Sequence, residues 1–194
     1  MKDKRVAICG AGAVGSTLAE SLARQGVGFL RVIDFDRVEA RNLATQTYTT
    51  EDVGRLKVEA LKDQVFRAAG LEIEAVPRKL TPENAGKLLK DVDLVIDGFD
   101  NSAARGAVTT ACGAAIPCLH VGLFTGYGEA RWNEGYRVPK DPGEGDPCEV
   151  RLARNLVQLA CAVAAELAVR FLLTGAKESR SLTLEDLRIN PEEA

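Results

Sequence analysis

The stretch from Arg5 to Gly15, RVAICGAGAVG, constrains the fold more than any other part of this 194-residue chain. Its first residues are short or β-branched, as expected of a strand that is buried on both faces. Gly10, Gly12 and Gly15 then match GxGxxG, in which the glycines permit a tight turn, close approach of the backbone to a phosphate, and close packing of the next helix. The N–H groups that open this helix would face an anion. The stretch predicts a nucleotide site and leaves the nucleotide open.

Length and charge narrow the class of protein. A chain of 194 residues fits one domain, which we expect to span residues 1–194. The net charge is −3, and the basic residues are dispersed among acidic ones, which argues against binding to nucleic acid or to a membrane surface. The most apolar segment, residues 155–165, is too short to cross a bilayer. We therefore expect a cytoplasmic domain without a nucleic-acid or membrane partner.

The cysteine pattern excludes two further classes. The chain has five cysteines, an odd number, and none of them form a CxxC pair. This argues against a disulfide framework and against a structural zinc site built from paired thiols.

Strand and helix patterns alternate along the chain. A second strand, Phe29–Ile33, ends at Asp34, where a carboxylate can accept hydrogen bonds from both hydroxyl groups of a ribose. Asp36 is a second candidate for the same ligand. The alternation predicts an α/β fold that is Rossmann-like, with a mostly parallel sheet and helices on both faces. Antiparallel additions are expected near the C-terminus, including an edge strand within Arg180–Ile189.

A lysine stands at the start of a predicted helix. Helical spacing resumes at Leu56, which places Lys57 in the first turn. A cation at a helix N-terminus is unfavourable for the helix dipole unless an anion offsets it. Lys57 therefore binds an anion or is an ordinary solvated lysine, and the spacing alone does not choose between these.

Polar side chains follow the predicted strand Asp93–Asp97. Asp97, Asp100 and Asn101 would lie at the carboxyl end of the strand, in the crevice where open α/β sheets bind ligands. Carboxylate oxygens are also the ligands that Mg²⁺ prefers beside a triphosphate. The alternative for Asp100 is a cap on the helix that starts at Ser102.

Three later features are less specific. His120 is the single histidine, and it lies in the predicted strand Ile116–Val121, where we interpret it as a packed core residue rather than a base. A turn is expected where Gly122, Gly126 and Gly128 follow. A long apolar helix is expected from about Glu149 to Leu173, and it would be buried in the domain or against a second subunit.

Together these segments resemble the adenylating domain of the ThiF/MoeB/HesA family, the bacterial relatives of ubiquitin-activating enzymes. The residues that carry the resemblance are GAGAVG at 10–15, DFDRVEARNL at 34–43, Gln46, Gly54-x-x-Lys57, DGFDN at 97–101 and Cys148 before a long helix. The resemblance covers nearly the whole chain and implies ATP with Mg²⁺ rather than NAD.

The resemblance also implies roles for particular residues. Asp34 would hold the ribose, Asn42 and Lys57 would contact the phosphates, and Asp100 would carry Mg²⁺. The predicted nucleotide-binding residues are Gly10, Gly12, Gly15, Asp34, Asp36, Asn42, Gln46, Lys57 and Asn101. The predicted catalytic residues are Lys57, Asp100 and Cys148.

The reaction implied is adenylation of a protein. The C-terminal carboxylate of a small ubiquitin-like or sulfur-carrier protein, usually ending in Gly-Gly, would attack the α-phosphate of ATP. The enzyme would work as a homodimer through the long helix. Cys148 is either a nucleophile that later accepts the acyl group or sulfur, or an ordinary thiol.

The chain also departs from the family pattern. Thr45 stands where the family has a phosphate-binding arginine, and the family's N-terminal helix, which carries a second arginine, is not among these residues. Arg37, Arg41 or Arg55 substitutes, a partner supplies the charge, or the protein adenylates poorly. Two other functions stay open: an NAD(P)-dependent oxidoreductase, which the glycine turn and Asp34 alone would support, and a non-catalytic nucleotide-binding subunit.

Overall fold

The computed structural model of the chain describes residues 1–140 and 154–192. Within these residues the helices are α1 (Ala13–Arg24), α2 (Lys57–Ala69), α3 (Pro82–Leu88), α4 (Ser102–Cys112) and α5 (Arg154–Thr174). The strands are β1 (Arg5–Cys9), β2 (Phe29–Ile33), β3 (Glu74–Val76), β4 (Leu94–Asp97), β5 (Cys118–Phe124), β6 (Tyr127–Trp132), β7 (Ser179–Thr183) and β8 (Ile189–Glu192).

All eight strands join one sheet in the order β3-β2-β1-β4-β5-β6-β7-β8. The pairs from β3 to β5 are parallel, and those from β5 to β8 are antiparallel. The predicted Rossmann-like fold, parallel in its core with antiparallel additions near the C-terminus, is confirmed. The carboxyl ends of β1, β2 and β4 therefore lie side by side at one edge of the sheet, which is where ligands bind in such folds.

Helices cover both faces of the parallel half. Successive residues of β1 point to opposite faces, so Val6 and Ile8 belong to the core cluster that includes α1, α2 and α5. Ala7 and Cys9 belong to a second cluster, beneath α3 and α4. The central strands β1 and β4 are thus buried on both faces, which is why their sequences are apolar without alternation.

The turn that was expected around Gly122–Gly128 lies at Thr125 and Gly126, where it joins two strands in a hairpin. Strand β5 continues through Gly122 to Phe124, and the chain reverses at Thr125 and Gly126 before β6. Gly128 lies inside the strand because α5 comes very close: a Cβ added there would be 3.1 Å from the Cβ of Ala160. The glycine serves close packing of a helix rather than a turn.

The C-terminal region also differs from expectation. Instead of a single edge strand within residues 180–189, β7 and β8 form an antiparallel hairpin that extends the sheet beyond β6. The reversal lies within residues 184–188, where Leu187 has a left-handed backbone with φ of 56°. The periodicity of the sequence indicated one strand here and did not reveal the reversal.

Helix α5 is longer than residues 155–165, the apolar segment that was expected to be too short to cross a bilayer. By length and composition alone, Arg154–Thr174 is sufficient to cross a bilayer, so that expectation was wrong. Half of its apolar window is buried inside the fold, however, against α1, β5, β6 and β7. These contacts are typical of a core helix. The start predicted at Glu149 lies outside the described residues.

Candidate functional site

The glycine turn lies between the end of β1 and the start of α1. Gly10 has a left-handed backbone with φ of +89°, and its N–H donates to the carbonyl of Ile33 on β2, 2.9 Å away. A Cβ on Gly15 would lie 1.8 Å from the carbonyl oxygen of Gly10, so only glycine fits. Gly12 is the N-cap of α1, so no side chain caps the first N–H groups of the helix.

Asp34 connects this turn to the end of β2. Its side-chain oxygens accept hydrogen bonds from the N–H groups of Ala11 and Asp36, both at 2.7 Å, and the residue is 6% exposed. Burial raises the pKa of Asp34, while the charge of Lys57 and the two backbone donors oppose the rise. The carboxylate therefore holds the turn in shape, and its predicted contact with a ribose stays a prediction.

Lys57 is the first residue of α2 and is only 8% exposed. Its Nζ lies 3.2 Å from a carboxylate oxygen of Asp36, and its backbone N–H donates to the carbonyl of Asp36 at 2.9 Å. A half-exposed carboxylate thus offsets a buried cation at the same edge of the sheet as the glycine turn. An incoming phosphate would find this ammonium already desolvated and held in place.

The segment after β2 folds back over the start of α1. The hydroxyl of Tyr48 donates to the carbonyl of Ala11 at 2.7 Å, and the amide nitrogen of Gln46 is the nearest atom, at 4.0 Å, to a Cβ placed on Gly12. The Gln46 Oε1 is buried and has no hydrogen-bond partner within residues 1–140 and 154–192. The Asn42 Oδ1 accepts a hydrogen bond from the N–H of Glu39 at 2.9 Å, which shapes a short 3₁₀ turn.

The three arginines considered as substitutes for Thr45 make other contacts. Arg41 pairs with Glu39, whose oxygen is 2.6 Å away, and Arg55 pairs with Asp63 at 2.5 Å. Arg37 donates to a backbone carbonyl in the turn before α2.

Arg154 comes from far along the chain to contact Gln46, whose amide nitrogen is the nearest atom to a Cβ placed on Gly12. Its guanidinium donates to the carbonyl of Gln46 at 2.9 Å, across 108 residues of sequence. It opens α5, whose later turn places Cys161 against the carbonyl of Val14 on α1. The sequence carried no signal for this contact, because it depends on how α5 packs against α1.

Phe35 was not among the site residues predicted from the sequence. This aromatic ring is 51% exposed although it lies between the two acidic residues at the end of β2. The Lys79 ammonium lies 5.9 Å from the centre of the ring. An exposed ring at a ligand-binding edge offers a flat surface on which a nucleobase could stack.

Of the polar residues at the end of β4 and just after it, Asp97 is buried and the others are exposed. Asp97 is fully buried and hydrogen-bonds to His120, so its expected place in the ligand crevice was wrong: the strand points its side chain toward α4. Asp100 and Asn101 are exposed. The Asn101 Oδ1 caps α4 by accepting from the N–H of Ala104 at 2.9 Å. Asp100 is thus not needed as the helix cap.

The residues at this edge suit a Mg²⁺ ion that arrives with a nucleotide. In the described ranges no cluster of three or more His, Cys, Asp or Glu side chains could hold a metal by itself. Mg²⁺ in nucleotide sites is held by one or two carboxylates together with phosphate oxygens and water, and it needs no such cluster. An exposed Asp100 carboxylate beside the Asn101 amide fits that donor set.

The cysteines of the described residues are poor nucleophiles. Cys9, Cys112, Cys118 and Cys161 are free and buried. Burial raises the pKa of Cys9 and Cys118, and raises that of Cys161 to about 12. Cys148, the predicted nucleophile, lies outside the described residues.

Comparison with known sequences identifies relatives of this chain. Residues 1–183 match the ThiF family. A sulfur carrier protein adenylyltransferase of Thermus thermophilus is 40% identical over 113 residues, which are 57% of this chain and 42% of that protein. The molybdopterin-synthase adenylyltransferase of Escherichia coli is 34% identical over 157 residues, or 79% of this chain and 60% of that protein. The chain thus spans about half the length of these relatives.

Solved structures also resemble the fold of this chain. E. coli MccB with ATP superposes with a TM-score of 0.82 over 99% of this chain and 64% of that chain, at 18% identity, which shows the fold alone. E. coli tRNA N6-threonylcarbamoyladenosine dehydratase, TcdA, in complex with ATP gives a TM-score of 0.61 at 29% identity. That match covers 64% of this chain and 53% of the other. Both proteins were solved with ATP bound.

Proposed function

Because the chain belongs to the ThiF family, we propose that it adenylates the C-terminal carboxylate of a small ubiquitin-like or sulfur-carrier protein that ends in Gly-Gly. ATP is the nucleotide and Mg²⁺ accompanies it. The relatives support this: one is a sulfur carrier protein adenylyltransferase, and two similar structures hold ATP.

The single observation that carries the proposal is the position of Lys57. A nearly buried ammonium stands beside the glycine turn, held by a carboxylate that can release it to a stronger anion. The two candidate functions make different demands on the site. An NAD-dependent oxidoreductase needs a hydride donor aligned with an acceptor, whereas an enzyme that binds a triphosphate needs cations beside the phosphates. The charge of Lys57 acts on Asp34, which holds the glycine turn. Arg154 contacts Gln46 beside Gly12, so two cations near the turn suit the triphosphate.

The proposed reaction requires little acid–base chemistry. An ionised carboxylate oxygen of the carrier forms a bond to the α-phosphorus of ATP, and the bond from that phosphorus to the bridging oxygen of the β-phosphate breaks. Pyrophosphate leaves with the electron pair, and the product is an acyl-adenylate. No proton needs to move, so alignment and neutralisation of charge supply most of the rate enhancement.

The residues of the candidate site have roles that follow from their positions. The first N–H groups of α1 and the Lys57 ammonium hold the phosphates, and Arg154 adds a second cation beside Gln46. Asp100 would hold Mg²⁺, which when bound neutralises charge on the phosphate oxygens. Phe35 offers its exposed face to the adenine. Asp34 keeps the turn in the shape that these contacts need.

The partners follow from the same proposal. The carrier brings the carboxylate, and a thiolate of Cys148 or of a sulfur donor afterwards accepts the acyl group and releases AMP. Two exposed leucines on α5, Leu159 and Leu173, are available to a second subunit of a cytoplasmic homodimer.

The proposal is tested by nucleotide binding followed by turnover. Calorimetry should detect binding of ATP with Mg²⁺ and no binding of NAD or NADP at the same concentrations. Exchange of labelled pyrophosphate into ATP should then depend on added carrier protein ending in Gly-Gly, with a carrier lacking the last two glycines as the control.

Two results would contradict the proposal. Binding of NAD(P) without ATP would favour the oxidoreductase. Binding of ATP without exchange for any carrier would favour a non-catalytic subunit.

Replacing Arg154 by alanine is expected to weaken ATP binding by about tenfold, because one hydrogen bond from a charged donor contributes about 1.5 kcal/mol. The loss should shrink as salt screens the charge. Arg170→Ala is the matched control, since Arg170 is on the same helix and pairs at the surface with Glu166. Calorimetric titration with ATP at two salt concentrations measures both variants. Equal affinities for the two variants would exclude Arg154 from the phosphate site.

A further inference from the structure

A buried polar cluster lies beneath the first turns of α4, next to the proposed nucleotide site. We call it the strand-tip cluster, and its members are Asp97, Arg105, His120 and Tyr136. Asp97 and His120 are directly paired in the β4–β5 register, and the His120 Nδ1 lies 2.8 Å from the Asp97 Oδ2. Both residues are fully buried.

Arg105 and Tyr136 complete the cluster from two other elements. The Arg105 guanidinium lies 3.5 Å from the same Asp97 oxygen and donates to the Tyr136 hydroxyl at 2.9 Å. The rings of Tyr136 and His120 are stacked with centroids 3.7 Å apart. Burial lowers the pKa of Arg105, but the charge of Asp97, together with the interactions with Tyr136 and Glu129, outweighs burial, and the pKa is raised. Arg105 therefore stays charged and balances the carboxylate.

The tautomer of His120 follows from its neighbours. Nδ1 faces a carboxylate, which only accepts, so it carries the proton. The other nitrogen, Nε2, is buried and has no partner in the part of the chain that the structure describes. A buried, unpaired acceptor costs about 1–3 kcal/mol, which an apolar side chain of similar size would avoid. Packing alone does not explain a histidine here, whereas its Nδ1 donor does.

The cluster is connected to Asp100 through the turn that follows β4. The other carboxylate oxygen of Asp97 accepts from the N–H of Phe99 at 3.1 Å, and the N–H of Gly98 donates to the carbonyl of Cys9 at 2.9 Å. Asp97 therefore fixes the backbone directly before Asp100. The Asp100 side chain is exposed and depends on this turn for its position.

We propose that His120 is a positioning residue of the nucleotide site: by holding Asp97 it fixes the turn that presents Asp100 to a Mg²⁺–ATP complex. The Tyr136 stack and the Arg105 bond hold the His120 ring and Asp97 in place from the other side. This inference rests on the proposed function for the role of Asp100, but it concerns residues that touch neither substrate nor metal.

The test measures how much Mg²⁺ strengthens ATP binding. ATP affinity is determined calorimetrically for the full chain, once with excess Mg²⁺ and once with a chelator. The ratio of the two affinities is the Mg²⁺-dependent gain, and the affinity in chelator reports whether the glycine turn and Lys57 are intact. A defect that was merely structural would lower both affinities.

Three substitutions of His120 separate its possible roles. His120→Phe keeps a ring to stack on Tyr136 but loses the donor, and His120→Ala loses both. His120→Asn places an amide N–H near the position of Nδ1 and removes Nε2. We expect the first two to reduce the Mg²⁺-dependent gain by about tenfold, as is typical when a residue that orients a metal ligand is removed. The asparagine variant should stay within about twofold of the wild type.

Tyr136→Phe is a second, milder variant, because it keeps the stack and loses only the bond to Arg105. A reduction of about two- to threefold in the gain is expected, in line with one lost hydrogen bond.

Three results would overturn the inference: a wild-type gain in His120→Phe, an equal loss in His120→Asn and His120→Phe, or no Mg²⁺-dependent gain in the wild type. Failure of the proposed function is distinct from these. It would appear as absent pyrophosphate exchange in a wild-type protein that still shows the gain and loses it in His120→Phe.

Discussion

Replacing Lys57 by alanine is expected to slow carrier-dependent pyrophosphate exchange by about 10³-fold, because one fixed cation or donor in a desolvated site contributes that much to stabilising charge in a transition state. ATP affinity should fall less, since the ammonium acts mainly on the charge that develops at the α-phosphate. The fold should survive, because the partner that is left behind, Asp36, is half exposed and can be solvated. Exchange assays and calorimetry measure the two effects.

Lys62→Ala is the matched control for this substitution. Lys62 is on the same helix, and it pairs at the surface with Glu72, whose oxygen is 2.9 Å away. Its replacement should leave exchange unchanged. If Lys57→Ala retained exchange within a factor of three of Lys62→Ala, the proposed role of Lys57 would be wrong.

Replacing Gly15 by alanine is expected to lower the free energy of unfolding by about 3 kcal/mol or more. Inside a helix, alanine normally stabilises a protein by about 1 kcal/mol relative to glycine. The expected loss of stability therefore comes from a steric clash. The added Cβ would stand 1.8 Å from the Gly10 oxygen, and that atom belongs to the backbone and cannot rotate away. The β1–α1 unit must therefore separate. Urea unfolding followed by circular dichroism measures the change.

Two other glycine substitutions make the test specific. Gly106→Ala, in α4, meets nothing within 4 Å and should stabilise the protein by about 1 kcal/mol. Gly12→Ala meets only the end of Gln46 at 4.0 Å, so it should unfold like the wild type but lose ATP affinity, because the methyl group occupies the space of a phosphate. A stable Gly15→Ala protein would mean that the helix tolerates a wider separation from the strand than its position indicates.

Local patterns were sufficient for the fold and for the parts of the site that lie within one turn of the chain. Short apolar strands alternating with amphipathic helices require a parallel core, and the glycine spacing places the turn after the first strand. Lys57 is found at a helix N-terminus as expected, although its companion there is Asp36. These features depend on neighbours in sequence, which is why periodicity and motifs could predict them.

Contacts between distant segments were beyond such reasoning. The burial of Asp97 depends on the register that pairs β4 with β5, and a single residue of slippage would have turned it to the other face. His120 was expected in the core, and it is buried, but its bond to Asp97 requires that same register. Arg154 meets Gln46 only because α5 packs against α1. Gly128 flanks the expected turn, but nothing in the sequence shows that a helix packs closely against it.

The packing of α5 against α1 also bears on how the chain matures during synthesis. The apolar side of α1 is covered by a helix whose contact with it, from Cys161 to Val14, spans 147 residues. A ribosome therefore releases the whole glycine turn and β1 to β6 before their cover exists. Contacts so distant in sequence form late, and the uncovered side is prone to association until they do. Because Arg154 begins that same helix, its contact with Gln46 and the closure of the core form in one step. The role proposed for Arg154 therefore predicts that a nascent chain binds ATP with full affinity only after it has finished folding.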